Sequence, residues 1–180
     1  MSRVGNRIIT IPAGVEVSLQ EGTNFTAKGK LGSLTKNFSN LIAIVIENNK
    51  ISTVRANEEK HTKQLHGTTN SLISNMIKGV SEGFKKELEI KGVGYKATLK
   101  GNILELAVGY SHLVNLEIPA GLTVVCPKPT EITISGIEKE LVGHFASIIR
   151  DVRRPSPYSG KGIAYKGEKI RRKEGKTASK

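Results

Sequence analysis

The alternation of apolar and polar residues in the first part of the chain predicts five short strands. Within each predicted strand, apolar side chains recur at every second residue, which is the period of a half-buried strand. These strands are residues 15–19, 24–30, 34–38, 42–46 and 51–55. Between the last two, Asn48 and Asn49 predict a hairpin turn, because asparagine tolerates the left-handed backbone conformation.

After residue 58 the apolar period lengthens to three or four residues and continues to residue 80, which predicts one amphipathic helix. The core-facing side chains of this helix are expected to be Leu65, Thr69, Leu72, Ile73, Met76, Ile77 and Val80. The first half of the chain therefore reads as a small sheet backed by a helix.

In the second half, the strand pattern returns and leads into a second helix. The predicted strands are residues 88–90, 95–99, 103–108, 112–118, 122–126 and 132–134. The apolar face of the helix comprises Ile137, Leu141, Val142, Phe145, Ile148, Ile149 and Val152. Ser135 and Glu138 have the spacing of a capping box at its start. Pro155 ends it, because the residue before a proline is pushed out of the helical region.

The chain also repeats itself weakly at an offset of 107 residues. Residues 11–15 match residues 118–122, and the same offset continues downstream through Phe25 and Ile132, Ala27 and Ile134, and Gly29 and Gly136. We interpret this as one sheet-plus-helix module that occurs twice. The predicted fold class is α+β, with two similar small domains, each an antiparallel sheet packed with a helix. Their predicted ranges are 1–82 and 83–152, followed by a basic C-terminal arm at 153–180.

Composition narrows the class of protein. Among 180 residues, 37% are hydrophobic, Trp is absent and Cys126 is the single cysteine, which fits a globular protein of a reducing compartment. No apolar run reaches the roughly 18 residues that a membrane span needs. The apolar stretch at residues 8–11 is too short for a secretory signal. We therefore expect a cytoplasmic protein without a membrane partner.

Charge is concentrated at the C-terminal end of the sequence. Residues 150–180 contain eleven Lys and Arg against three acidic residues, a net charge of +8 out of +12 for the whole chain. A localised cationic segment indicates a polyanion partner, because each phosphate that it neutralises releases condensed counterions. Residues after Pro155 show no apolar period, so the arm is expected to be extended, mobile alone and ordered on RNA.

Within this arm, Tyr158, Gly160, Lys161 and Gly162 combine an aromatic ring, unobstructed backbone amides and a cation. All three features suit RNA, through stacking or ribose contact, close phosphate approach and charge. The alternatives are a merely solubilising tail and a membrane surface, for which the arm offers few apolar residues.

Other motifs in the sequence do not predict a nucleotide-binding, catalytic or metal site. Residues 91–96 partly match an RNA-recognition strand motif but lack two of its key residues, so glycines at a bulge or a close backbone approach are the favoured interpretation. Gly162 stands where a phosphate-binding loop needs Ser or Thr, which excludes a nucleotide site. Asp151 is the single Asp of the chain, and Cys126 reads as a small buried hydrophobe. His61 and His66 are wrongly spaced for a metal on one helix face. An enzyme and a cofactor are therefore not expected.

Three strings nevertheless have a familiar form. Residues 2–15, 87–99 and 157–176, the last reading PYSGKGIAYKGEKIRRKEGK, together resemble the bacterial form of the family of ribosomal protein six of the large subunit. The likeness covers essentially the whole chain, and the last string carries the motif most diagnostic of that family. The resemblance implies two similar domains and a structural role in the large ribosomal subunit. It also implies binding to large-subunit (23S-type) rRNA near the sarcin-ricin loop and the stalk base, beside neighbouring ribosomal proteins.

The RNA-binding residues expected from the motif and from the charge around it are Arg153, Arg154, Tyr158, Gly160, Lys161, Gly162, Lys166, Lys169, Arg171, Arg172, Lys173 and Lys176. Two positions depart from the family pattern. Ser159 stands where the family usually has Lys, and Ala164 stands where it often has Arg. Lys166 and Lys169 could compensate for those missing charges. The alternative function is an interaction protein that docks acidic proteins through the same arm.

Overall fold

A computed structural model describes residues 3–20 and 22–176 of the chain. Within it, the chain forms two compact units, the first comprising residues 3–84 with Ile137–Lys139, and the second Lys85–Gly136 with residues 140–176. Both units combine antiparallel strands with one helix, which confirms the predicted α+β class. Independent folding of the predicted domains 1–82 and 83–152 stays a prediction.

The first unit contains two three-stranded antiparallel sheets and a long helix. Its strands are β1 (Ile9–Thr10), β2 (Glu16–Gln20), β3 (Asn24–Gly29), β4 (Gly32–Asn37), β5 (Ile42–Glu47) and β6 (Lys50–Arg55), and its helix is α1 (Lys60–Ser81). The sheet orders are β1-β6-β5 and β2-β3-β4. Asn48 and Asn49 both have positive φ in the β5–β6 turn, as their type predicts.

The core of the first unit is built from aliphatic side chains of the sheets and from the apolar face of α1. Phe25, Ile51, Ile73 and Val80 are fully buried in one cluster. The face predicted for α1 is correct, although Leu65 and Leu72 lie at its edge and are half-buried. Burial of this stripe stabilises the helix far more than its modest intrinsic propensity does.

A buried polar network fastens the N-terminal segment to α1. The side-chain Nδ2 of Asn70 donates to the carbonyl oxygens of Gly5 (3.1 Å) and Arg7 (2.8 Å), and Nε2 of His66 lies 2.8 Å from the carbonyl oxygen of Thr53. Since a carbonyl only accepts, Nε2 of His66 carries the proton. Gly5 is required here, because a Cβ atom would overlap the imidazole ring of His66. Sequence patterns did not single out this network.

The second unit contains a three-stranded sheet, a four-stranded sheet and a helix. Its strands are β7 (Phe84–Lys91), β8 (Lys96–Lys100), β9 (Ile103–Ala107), β10 (Val114–Glu117), β11 (Leu122–Lys128), β12 (Glu131–Gly136) and β13 (Gly162–Tyr165), and its helix is α2 (Lys139–Val152). The sheet orders are β10-β9-β8 and β11-β12-β7-β13. Among the α2 side chains, Val142, Phe145 and Ile149 are buried, whereas Ile148 is exposed at the edge of the predicted face.

The predicted repeat corresponds to one hairpin built twice. In β2–β3, Val17 pairs with Ala27, and in β11–β12, Val124 pairs with Ile134, so both residues of the pair shift by the 107-residue offset. Gly14 and Gly121, which precede the two hairpins, have φ of 86° and 87°. The third strand of each sheet enters differently, because β4 follows its hairpin in the chain while β7 precedes its own.

One prediction about the elements was wrong, and two strands were missed. The capping box is absent, since Ser135 lies in β12 and its hydroxyl donates to the carbonyl of Thr123 at 3.3 Å, and α2 begins at Lys139. Strand β1 was not predicted, and neither was β13, which lies inside the supposedly extended and mobile arm. Both strands are too short to show a period, and pairing with sequence-distant strands stabilises them.

Candidate nucleic-acid interface

Strand β13 anchors the basic C-terminal segment in the second unit. It runs antiparallel to β7 with Gly162 opposite Lys91 and Tyr165 opposite Leu88, and the side chains of Ile163 and Ala164 are 0% and 2% exposed. Gly162 has φ of 139°, and a Cβ atom there would lie 2.7–2.8 Å from backbone atoms of residues 153–155. Glycine therefore lets the chain pass close to the backbone of residues 153–155 and join the sheet.

Between α2 and β13, residues 156–161 form a hydrogen-bonded loop, which we call the basic loop. The amide of Ser156 donates to the carbonyl of Lys161 (2.9 Å), and the amide of Gly160 donates to the carbonyl of Ser156 (2.8 Å). The hydroxyl of Ser156 also accepts the amide of Tyr158 at 3.3 Å. These bonds hold the loop in one conformation and leave the ring of Tyr158 59% exposed.

A second anchor follows β13. The carboxylate of Glu168 accepts two hydrogen bonds from the guanidinium of Arg150, at 2.6 and 3.2 Å, and one from the amide of Tyr165 at 3.0 Å. The Arg150 guanidinium lowers the pKa of Glu168 and lies 5.5 Å from the centre of the Tyr165 ring. A bidentate pair of this kind fixes both partners in direction as well as distance. The cationic segment that begins at residue 169 therefore starts from a defined place.

Two of the predicted RNA-binding cations are engaged in ion pairs. Lys166 contacts Glu87 at 2.7 Å, and hydrogen bonds from Lys166 and Lys85 lower the pKa of Glu87 to about 2. Arg154 binds both carboxylate oxygens of Asp151, at 2.7 and 3.0 Å. These positive charges are partly neutralised by the fold itself.

Other predicted residues carry charge without a carboxylate partner. We call them the six unpaired cations, since they are exposed and form no ion pair with any residue in 3–20 or 22–176: Lys161, Lys169, Arg171, Arg172, Lys173 and Lys176. Two contacts return this segment to the basic loop. The amide of Lys173 donates to the carbonyl of Pro157 at 3.1 Å, and the guanidinium of Arg172 lies against Gly160. The segment thus presents several cations beside Tyr158.

Arg153 has a different environment. Its guanidinium lies 5.1 Å from the centre of the Tyr110 ring, and the neighbouring Tyr110 side chain raises the pKa of Arg153. The hydroxyl of Tyr110 in turn donates to the carbonyl of Val152 at 2.8 Å. Sequence patterns did not identify Tyr110, because its contact with Arg153 joins loops that are distant in the chain.

The remaining sequence candidates provide no catalytic or metal site among the described residues. Residues 92–95 form the loop between β7 and β8, where Gly92 packs on the ring of Tyr95, as expected for a close backbone approach. Cys126 is half-buried in β11, less than predicted, and burial raises the pKa of its thiol. In the described part of the chain, no three His, Cys, Asp or Glu side chains are grouped as metal ligands. Neither α1 nor α2 is long and apolar enough to span a membrane.

Comparison with known proteins gives matches over the whole chain. The family model described as Ribosomal protein L6 matches residues 11–83 and 91–166. A protein of Mycoplasmopsis pulmonis is 67% identical over 180 residues, and one of Metamycoplasma arthritidis is 64% identical over 180 residues, with all of both chains covered in each case. A protein of Enterococcus faecalis is 52% identical over 98% of this chain and 99% of its own. All three relatives are named Large ribosomal subunit protein uL6.

Proposed function

The chain belongs to the ribosomal protein L6 family, and from this premise we propose that its second unit binds large-subunit ribosomal RNA through the six unpaired cations and the basic loop. As a member of this family, it is a structural protein of the large ribosomal subunit in the cytoplasm, not an enzyme. The observation that carries the RNA proposal is a group of cations that have no carboxylate partner among the described residues and that follow a strand of the sheet.

Electrostatics favours a phosphate backbone as the ligand of this group. Cations that already have carboxylate partners, such as Arg154 and Lys166, gain less from a phosphate than cations that face only water. We therefore assign the main phosphate contacts to the six unpaired cations. Arg154 and Lys166 mainly hold the scaffold, and they meet RNA only where it reaches their outer edges.

The basic loop supplies contacts of another kind. Tyr158 presents its ring to solvent, where it can stack on a base or contact a ribose, and Gly160 adopts a φ of 70°, which glycine tolerates without strain. Ser159 is exposed and its hydroxyl accepts the amide of Lys161 at 3.3 Å. Ala164 is buried in β13. Of the two departures from the family pattern, Ser159 therefore reduces the positive charge of the loop surface. Ala164 is buried.

The finer location rests on the resemblance of the motif. We propose that the bound RNA lies near the sarcin-ricin loop and the stalk base, where neighbouring ribosomal proteins would contact the folded units. Directed hydroxyl-radical probing tests this placement. Iron tethered at Ser159→Cys, in a chain with Cys126→Ser, should cleave that RNA in reconstituted large subunits. The same tether at Ser18→Cys on β2 should cleave elsewhere, and equal cleavage patterns from the two positions would contradict the placement.

The phosphate contacts are tested by the salt dependence of binding. The triple variant Lys161→Ala, Arg171→Ala, Lys173→Ala should reduce the slope of log affinity against log salt by roughly 2 to 3, because each lost contact removes about 0.7 to 0.9. The matched control removes three cations from the first unit, Lys28→Ala, Lys30→Ala and Lys50→Ala, and should leave the slope unchanged. An unchanged slope in the first variant would refute the proposal and favour docking to an acidic protein.

A further inference from the structure

Three loops of the second unit meet at the end of α2 and form a surface that we call the loop platform. They are residues 92–95, residues 108–113 and residues 153–155. The ring of Tyr110 in the second loop lies beneath the guanidinium of Arg153, and Gly109 packs against the hydroxyl end of Tyr95 from the first loop. Because Gly162 packs on residues 153–155, the loop platform is continuous with the basic loop.

An exposed aromatic pair lies at the centre of the loop platform. The rings of Tyr110 and His112 are 6.0 Å apart at their centres and inclined by 21°, so they stack. Tyr110 is 44% exposed, and His112 is exposed as well. The hydrogen bond from the hydroxyl of Tyr110 to the carbonyl of Val152 fixes the Tyr110 ring. The ring of His112, stacked on it, therefore presents its other face in a defined orientation. A fixed π-face open to solvent is what an unpaired base needs for stacking.

The segments around this pair carry charged side chains of positive sign only. Residues 91–96, 107–114 and 152–162 contain no Asp or Glu, and they include Lys96, Arg153 and Lys161 in addition to Lys91 and Arg154, which are paired with Glu89 and Asp151. Arg153 has aromatic rings instead of a carboxylate as its neighbours among the described residues. A ligand that brings both a flat ring and a negative charge therefore complements the loop platform.

We propose that the loop platform holds one unpaired nucleotide of RNA, whose base stacks on His112 and whose phosphate binds Arg153. The inference rests on the proposed RNA-binding function and extends it beyond the cationic segment to a contact that requires a splayed base. Single-stranded or bulged RNA offers such a base, whereas a regular duplex does not. An acidic protein would contact the cations but would place no base on the ring of His112.

Fluorescence tests the stacking contact, because the chain contains no Trp. The variant His112→Trp carries a single indole on the loop platform, and large-subunit ribosomal RNA should quench its emission as binding saturates. The control Val125→Trp places the indole on β11, at a position that is 49% exposed, and should keep its emission. If RNA binds while the indole of His112→Trp stays unquenched, the inference is wrong and the proposed function stands.

Affinity provides an independent measurement. His112→Ala should weaken binding of the same RNA by roughly 5- to 100-fold, the range of one lost base stack, with an unchanged salt slope because no phosphate contact is removed. The control Ile148→Ala on α2 should bind as the native chain does. Native affinity in His112→Ala would overturn the inference. Failure of the unsubstituted chain to bind this RNA at all would instead overturn the proposed function.

Discussion

The two hairpins that share a register differ in what lies beyond their third strand. In the first unit, β4 pairs with β3, and no further strand among the described residues covers its outer edge. In the second unit, the corresponding strand β7 pairs with β13 as well. An uncovered edge leaves backbone donors and acceptors to solvent. Covering the edge in the second unit uses the chain segment that carries the cations, so the same pairing completes a sheet and positions a binding surface.

The units also differ in the polar groups that hold their termini. The N-terminal segment of the first unit is fixed by neutral buried hydrogen bonds from Asn70. The C-terminal segment of the second unit is fixed by backbone pairing and by the part-buried ion pair of Arg150 with Glu168. Buried neutral networks are costly to break, while ion pairs that solvent still reaches contribute less. Substitutions that break these contacts should therefore change the free energy of unfolding by different amounts in the two units.

The largest effect is expected from Asn70→Asp in the first unit. The carboxylate has nearly the shape of the amide but cannot donate to the carbonyls of Gly5 and Arg7, so a buried charge would face acceptors. Its cost should be about 3 to 5 kcal/mol of unfolding free energy, measured by chemical denaturation. Amide hydrogen exchange should show the loss of protection confined to residues 3–84. Thr68→Ala on the exposed face of α1 is the control, and comparable losses in both variants would contradict the role of the network.

The next effect is expected from Gly162→Val, which attacks the covered edge in the second unit. A valine meets both the positive φ and the backbone of residues 153–155, and should cost about 3 kcal/mol with lost exchange protection in β7 and β13. The control Gly143→Ala lies in α2, where a Cβ atom meets no neighbour within 4 Å, and should stabilise the protein by up to about 1 kcal/mol. If Gly162→Val were neutral, β13 would not be needed for this unit.

A smaller effect is expected from Glu168→Gln. The substitution removes the charge that Arg150 contacts but keeps the size of the side chain, and should cost about 1 kcal/mol. Glu174→Gln, at an exposed residue of the same segment, serves as the control and should change the midpoint of denaturation very little. Equal midpoints for the two variants would show that the second anchor contributes nothing.

The smallest effect is the pH dependence of the Glu87 ion pairs. Because Lys166 and Lys85 lower the pKa of Glu87 from 4.5 to about 2, the folded carboxyl has a lower pKa than the unfolded one. Its contribution is therefore present in full above pH about 5 and disappears as the pH falls through about 2. The difference in thermal midpoint between the native chain and Glu87→Gln should follow that window. In a Lys85→Gln, Lys166→Gln background this dependence should shrink, and an unaltered dependence would exclude the pairing as its cause.

Periodic elements of the fold were predictable, and isolated short ones were not. The two hairpins and both helices span several alternations or turns, so the sequence period shows which side chains are buried. In α1 these include Ile73, Met76, Ile77 and Val80. Ile163 and Ala164 in β13 show no such pattern and are buried only because β7 lies beside them. The capping box failed for a related reason, since β12 continues through Ser135 and its hydroxyl bonds across the hairpin.

The candidate site divides in the same way. Composition located the cations within residues 150–180, since charge needs no fold to be counted. It did not separate Arg154 and Lys166, which have carboxylate partners, from Lys161 and Lys173, which have none in the part of the chain that the structure describes. An ion pair between residues close in the chain, such as Asp151 and Arg154, can be expected from the sequence. Glu87 and Lys166 come into contact only because β7 and β13 are neighbours in the sheet. Tyr110 was likewise missed, because its partner Arg153 belongs to another loop.

By itself, the sequence determined the α+β class, the repeated module, the turn at Asn48 and Asn49 and the basic character of the C-terminal segment. Each of these depends on interactions between near neighbours in the chain or on composition alone. The tertiary structure decided that this segment joins a sheet, which of its cations stay free and which aromatic rings lie beside them. Those properties depend on which residues distant in sequence become neighbours, and they exist only once the chain has folded.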